Sequence, residues 1–132
     1  MVIISVCPGR KRTGICVEDS VQGTLRRGVI SSLSLSDHIS KYKSMYPDSV
    51  VVCEDTERAR DLISSFDFLN TEIVYIYDKK TKSIARQLYW RRHRKPWWAF
   101  FLPKAILKPK RRIDDYKATV LARKYIKDME NS

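Results

Sequence analysis

The side chains best placed for chemistry are carboxylates and thiols standing directly after apolar runs. Cys7 closes Val2-Ile-Ile-Ser-Val6, Cys53 and Glu54 close Ser49-Val-Val-Val52, Asp78 follows Glu72–Tyr77, and Asp114-Asp115 open the last apolar-periodic stretch. Carboxylates gathered from separate segments supply the hard oxygens that Mg²⁺ or Mn²⁺ takes in octahedral geometry. Such ions activate water and stabilise the leaving oxygen of an in-line displacement. A thiol is a poor Mg²⁺ ligand, and a thiolate prefers softer metals such as zinc. Each acid also has a plain structural use. Asp55 can cap a helix that Glu54 favours at its positive end, Asp78 can cap a strand end, and Asp114 or Asp115 can offset a helix dipole.

The elements that must position these residues follow from hydrophobic patterning. Val2–Val6 reads as a buried strand ended by Pro8-Gly9, Thr13–Glu18 as a second, and Thr24–Ile30 as a third after a turn at Val21-Gln22-Gly23. Ser36 is the expected cap of a helix whose Leu35, Ile39, Tyr42 and Tyr46 share one face before Pro47. Ser49–Cys53 is continuously apolar, as a strand covered on both faces requires. Asp55 or Thr56 caps the next helix, buried through Ala59, Leu62, Ile63 and Phe66, and Glu72–Tyr77 is a fifth strand. Thr81–Tyr89 and Ile113–Met129 read as helices, the latter with Ile113, Val120, Leu121, Tyr125 and Met129 near one stripe. Three antiparallel strands followed by βα units, with the first strand central, make a ribonuclease H-like α/β arrangement: a mixed five-stranded sheet flanked by helices. At 132 residues the chain is expected to be one such domain.

With that order in place, two motifs carry a resemblance to a family. Val6-Cys7-Pro8-Gly9-Arg10-Lys11-Arg12-Thr13-Gly14-Ile15 resembles the opening of RuvC/YqgF-type Holliday junction resolvases, an apolar strand followed by D-P-G-x-x-x-x-G. Arg112-Ile113-Asp114-Asp115-Tyr116-Lys117-Ala118 is similar to their last helix, where an Asp supplies a metal ligand. The resemblance spans most of the chain. It implies a metal-dependent endonuclease ancestry, with Mg²⁺ or Mn²⁺ as cofactor if the chain is active and none otherwise. It also implies a catalytic set of Cys7, Glu54, Asp114 and Asp115, with Glu54 and Asp114 as metal ligands. Glu54 matches the place where the RuvC branch carries its Glu, with Asp55 as the neighbouring alternative. Asp78-Lys79-Lys80-Thr81 is similar to the D-E-R-x-T of the YqgF branch, with Lys79 where the Glu belongs. The departure at the first strand is large: Cys7 stands where the family has its aspartate, so catalysis is weakened, abolished or rebuilt. If the first and fourth strands are parallel neighbours, Cys7 and Cys53 end side by side, which allows either inert buried thiols or a soft-metal or redox pair.

The charge is unevenly placed. Formal net charge is +11, yet residues 1–78 hold nine basic and eleven acidic side chains, whereas residues 79–112 hold thirteen Lys/Arg and no Asp or Glu. That segment contains Tyr89-Trp90-Arg91-Arg92-His93-Arg94-Lys95-Pro96-Trp97-Trp98-Ala99-Phe100-Phe101 and ends in Lys110-Arg111-Arg112. Cations neutralise phosphates and exposed rings stack on bases, so DNA or RNA, branched forms included, is the expected partner. Arg10, Lys11 and Arg12 would extend the positive surface toward the strand ends. A membrane surface is disfavoured because Pro96, Pro103 and Pro109 interrupt any long amphipathic helix. The alternative is a non-enzymatic assembly module in which Trp97, Trp98, Phe100 and Phe101 form a core, a homodimer contact or another partner interface.

No basic region precedes the first apolar run, and none approaches the roughly 20 residues of a membrane span. Three cysteines without CxxC spacing fit a reducing, cytoplasmic setting, and His38 and His93 form no metal motif.

Overall fold

The computed structural model describes residues 1–66, 71–93 and 113–131. Its strands are β1 (Val2–Cys7), β2 (Arg12–Asp19), β3 (Gly23–Ser31), β4 (Val50–Glu54) and β5 (Ile73–Ile76). Its helices are α1 (Leu35–Met45), α2 (Glu57–Ser64), α3 (Thr81–Arg92) and α4 (Asp114–Glu130). The strands form one sheet in the order β3-β2-β1-β4-β5. β1 pairs antiparallel with β2 and parallel with β4, with Val6 opposite both Ile15 and Cys53. This is the ribonuclease H-like α/β arrangement, with β1 at the centre.

Strand alternation decides what each face holds. Ile4, Val6, Ile15, Val17, Val51 and Cys53 face α1 and α2, packing on Leu35, Ile39, Ala59 and Ile63. Ile3 and Val52 pack on Ala122 and Ile126 of α4, while Cys7 and Cys16 pack on Ala118 and Leu121. Both faces of β1 and β4 are therefore covered, which is why Val50–Cys53 needs no polar alternation. α3 lies against α4 through Ala85, Leu88, Tyr89 and Trp90, meeting Ile113, Tyr116 and Val120.

The local signals act largely as their chemistry dictates. Thr56 caps α2, its hydroxyl accepting from the Ala59 N–H at 3.1 Å. The neighbouring Asp55 instead accepts from Arg60 Nε at 2.7 Å. Gly23 takes a φ of 85° at the start of β3, just after the turn in which the Val21 N–H donates to Asp19. Ser36 is not a cap. A 3-10 turn over Ser32–Ser34, capped by Ser31, leads straight into α1, so Leu35 is already helical and fully buried. Met129 lies beyond Ile126, the last buried residue of α4, and is 48% exposed. Among the described residues, no helix is long and apolar enough to cross a membrane.

Candidate functional site

Cys7 and Glu54 occupy the C-terminal ends of adjacent parallel strands, β1 and β4. Crossovers in such sheets leave the carboxyl ends open, so side chains from different segments can converge there. The first turn of α4 closes over this corner. Its approach depends on Gly14, which sits opposite Cys7 on β2. A Cβ at Gly14 would lie 2.0 Å from the Asp114 carbonyl oxygen and 2.5 Å from the Asp115 nitrogen. Only glycine lets the helix backbone rest on the strand. Gly9 has a related duty in the loop after β1, where a Cβ would meet the Arg12 carbonyl oxygen at 2.5 Å.

The residues gathered at the corner are Cys7, Glu54, Asp114 and Lys117. Lys117 Nζ is 3.6 Å from Glu54 Oε2 and 4.0 Å from Asp114 Oδ1, so one ammonium bridges a strand carboxylate and a helix carboxylate. The spacing of Asp114 and Lys117 places them on the same helix face. All three charged side chains are about one-quarter exposed or less, at 24% for Lys117, 18% for Glu54 and 25% for Asp114. Cys7 lies beneath them, buried at 2% exposure. Burial pushes its thiol well above the ordinary range; the Glu54 charge adds to that effect and the Lys117 ammonium opposes it. A buried neutral thiol supplies neither anionic charge nor a hard oxygen.

Asp115 also lies in the first turn of α4 but is buried at 4% exposure, unlike the partly open Asp114. Asp78 ends the segment after β5 as a turn cap, its carboxylate accepting from the Lys80 N–H at 2.9 Å. Cys53 does not join Cys7. It belongs to the α1/α2 side of the sheet while Cys7 belongs to the α4 side, because the parallel register puts Cys53 beside Val6. The soft-metal or redox pair is therefore ruled out by strand alternation. Burial pushes the thiols of Cys16 and Cys53 up to about 12, and all three cysteines are free.

Arg10 and Lys11 on the loop after β1, and Arg12 at the start of β2, are exposed at the same end of the sheet. That loop is pinned from below: Ser32 Oγ donates to the Gly9 carbonyl at 2.7 Å and contacts Thr13 Oγ1 at 2.8 Å, and the Ser32 N–H donates to Lys11 O. Arg91 and Arg92 are exposed on the last turn of α3, with Arg91 lining a groove shared with Arg123, Lys124 and Lys127 of α4 and with the carboxylates of Asp78 and Asp128. Tyr89 and Trp90 are core residues, leaving them outside any stacking surface. Arg94, Lys95, Lys110, Arg111 and Arg112, with Trp97, Trp98, Phe100 and Phe101, lie outside the described residues.

As it stands the corner does not fit Mg²⁺ or Mn²⁺. The first-strand donor is a protonated thiol, and the two carboxylates already face an ammonium. Among the described residues, no group of three or more His, Cys, Asp or Glu side chains is arranged to hold a metal ion. Lys117 was not legible as a site residue from sequence; its one signal is its position three residues after Asp114.

No family model and no curated protein sequence matches the chain. Solved structures do, three of them as follows. Thermus thermophilus RuvC in complex with a Holliday junction substrate is 12% identical, with a TM-score of 0.56 over 92% of this chain and 90% of that one. The Fowlpox virus resolvase with its substrate Holliday junction DNA is 15% identical, with a TM-score of 0.56 over 98% and 99%. A second Thermus thermophilus RuvC structure gives 11% identity and a TM-score of 0.52 over 92% and 90%. At such identities the likeness concerns architecture, and on that basis the chain has the ribonuclease H-like fold of the Holliday junction resolvases.

Proposed function

We propose that this protein binds branched nucleic acid, with four-way DNA as the preferred form, and that it does so without metal-dependent cleavage. The observation that carries this reading is the buried Cys7 thiol at the central strand end, where a cleaving site needs a carboxylate. Support for nucleic acid comes from the exposed cations at the same end of the sheet, Arg10, Lys11 and Arg12, and from Arg91 and Arg92. The basic segment over 79–112, with Arg94, Lys95, Lys110, Arg111 and Arg112, adds charge without a single compensating acid. The fold shared with two proteins solved on Holliday junctions makes a branched substrate the natural first choice.

The test is an anisotropy titration in EDTA with a labelled four-way junction, a linear duplex of equal length and a matched RNA duplex. Binding without metal is expected, about tenfold tighter on the junction than on either duplex. Affinity should fall steeply with salt, as several phosphate contacts require. Equal, weak binding to all three would remove the branched-substrate reading. Absence of binding would favour the assembly module instead.

A further inference from the structure

We propose that the Lys117 ammonium is the resident cation of the strand-end corner, holding Glu54 and Asp114 together where a divalent ion would otherwise bridge them. The inference deepens the non-cleaving reading above and rests on it. Nucleic-acid-cleaving metal sites work by placing positive charge between carboxylates from separate segments. Here that charge is covalently part of α4. Lys117 reaches a strand carboxylate at 3.6 Å and a helix carboxylate at 4.0 Å, and all three side chains are half-buried. At these separations the contacts are ion pairs held by charge rather than hydrogen bonds. A divalent ion entering the same space would meet a positive charge at close range and no carboxylate from β1.

The arrangement does two things. It excludes Mg²⁺ and Mn²⁺ by occupying their ligands with a tethered competitor. It also lowers the negative charge that Glu54 and Asp114 would present to an approaching phosphate. Two uncompensated carboxylates beside the basic loop would repel the backbone that Arg10–Arg12 attract. Lys117 is thus a positioning residue, acting on DNA through the carboxylates it neutralises.

Manganese binding by wild type and Lys117→Met, followed by the EPR signal of free Mn²⁺ in the absence of DNA, tests this directly. The variant should bind Mn²⁺ at least about tenfold more tightly than wild type. Lys117→Arg, which keeps a cation, should stay with wild type and serves if Lys117→Met folds poorly. In a junction titration, Lys117→Met should lose several-fold affinity in EDTA and regain it in Mn²⁺, while wild type responds little to the metal. Wild type binding Mn²⁺ as tightly as Lys117→Met would overturn the proposal. Because the Mn²⁺ measurement needs no nucleic acid, it stands even if junction binding fails, and the two readings can fall separately.

Discussion

Helix α4 lays a cation on a strand carboxylate at two places, and the two are built differently. Midway along the helix, Arg123 Nε lies 3.5 Å from Glu18 on β2, and the Thr24 hydroxyl reaches both Glu18 oxygens at 3.0 Å. The Glu18 side chain is 3% exposed, and a neutral donor from β3 backs up the guanidinium. At the N-terminal end, Lys117 serves two partly open carboxylates over a buried thiol. The first arrangement is a buried charge given partners because an unpartnered one would be costly. The second concentrates charge at an open sheet end, beside an exposed basic loop, which is where ligands meet folds of this kind. Two like-looking ion pairs thus separate into a fastening and the proposed site.

The comparison breaks most severely at Gly14. Gly14→Val should cost about 3 kcal/mol in urea denaturation by forcing α4 off the strand, and it should remove junction binding with it. Equal stability in the variant would mean that the helix does not rest on β2 as described. Raising pH should weaken both regions together, since a buried thiol lies in each. Cys7 and Cys16 have raised pKa values in the fold, Cys16 up to about 12 against an ordinary 9.0. The unfolded chain therefore releases its thiol protons first. Stability is fully present below the ordinary thiol range and declines as pH climbs from there toward the folded value. Unfolding free energies from urea titrations should fall between pH 8 and 10 by on the order of 1 kcal/mol per thiol, and Cys16→Ala should flatten part of that slope.

Arg123→Met isolates the fastening. It leaves Glu18 with the Thr24 hydroxyl and the Cys16 thiol and should cost about 1–2 kcal/mol, a buried-pair penalty reduced because Arg123 is 45% exposed. Mn²⁺ affinity should not rise in this variant, in contrast to Lys117→Met. Lys117→Met should have the smallest effect on stability, about 1 kcal/mol or less in urea, because its partners retain access to water. A loss larger than that of Arg123→Met would reverse the assignment of the two regions.

Much of the fold was readable because each element carried its own local signal. The strand order followed from β-branched runs separated by turns, and the covered state of β4 from Ser49–Cys53 lacking polar alternation. The same reasoning placed Cys7, Glu54 and Asp114 on separate segments that the structure brings to one corner. What it missed depends on through-space geometry. Gly14 matters because of a helix backbone one hundred residues away in sequence. Lys117 matters because its chain reaches across to β4. Ser36 failed as a cap because the tight turn from Ser31 to Ser34 takes up the chain reversal and lets Leu35 start the helix buried. The proposed meeting of Cys7 and Cys53 failed on strand parity, a one-residue offset that the parallel register sets.

A resolvase-like fold that binds branched DNA without cutting it should leave an end-labelled four-way junction intact when the wild-type protein is incubated with it in Mn²⁺. A stable complex and full-length strands on a denaturing gel are expected. Symmetrical nicks near the branch point, abolished by Glu54→Gln or Asp114→Asn, would contradict that expectation and show that the corner still holds metal despite Cys7 and Lys117.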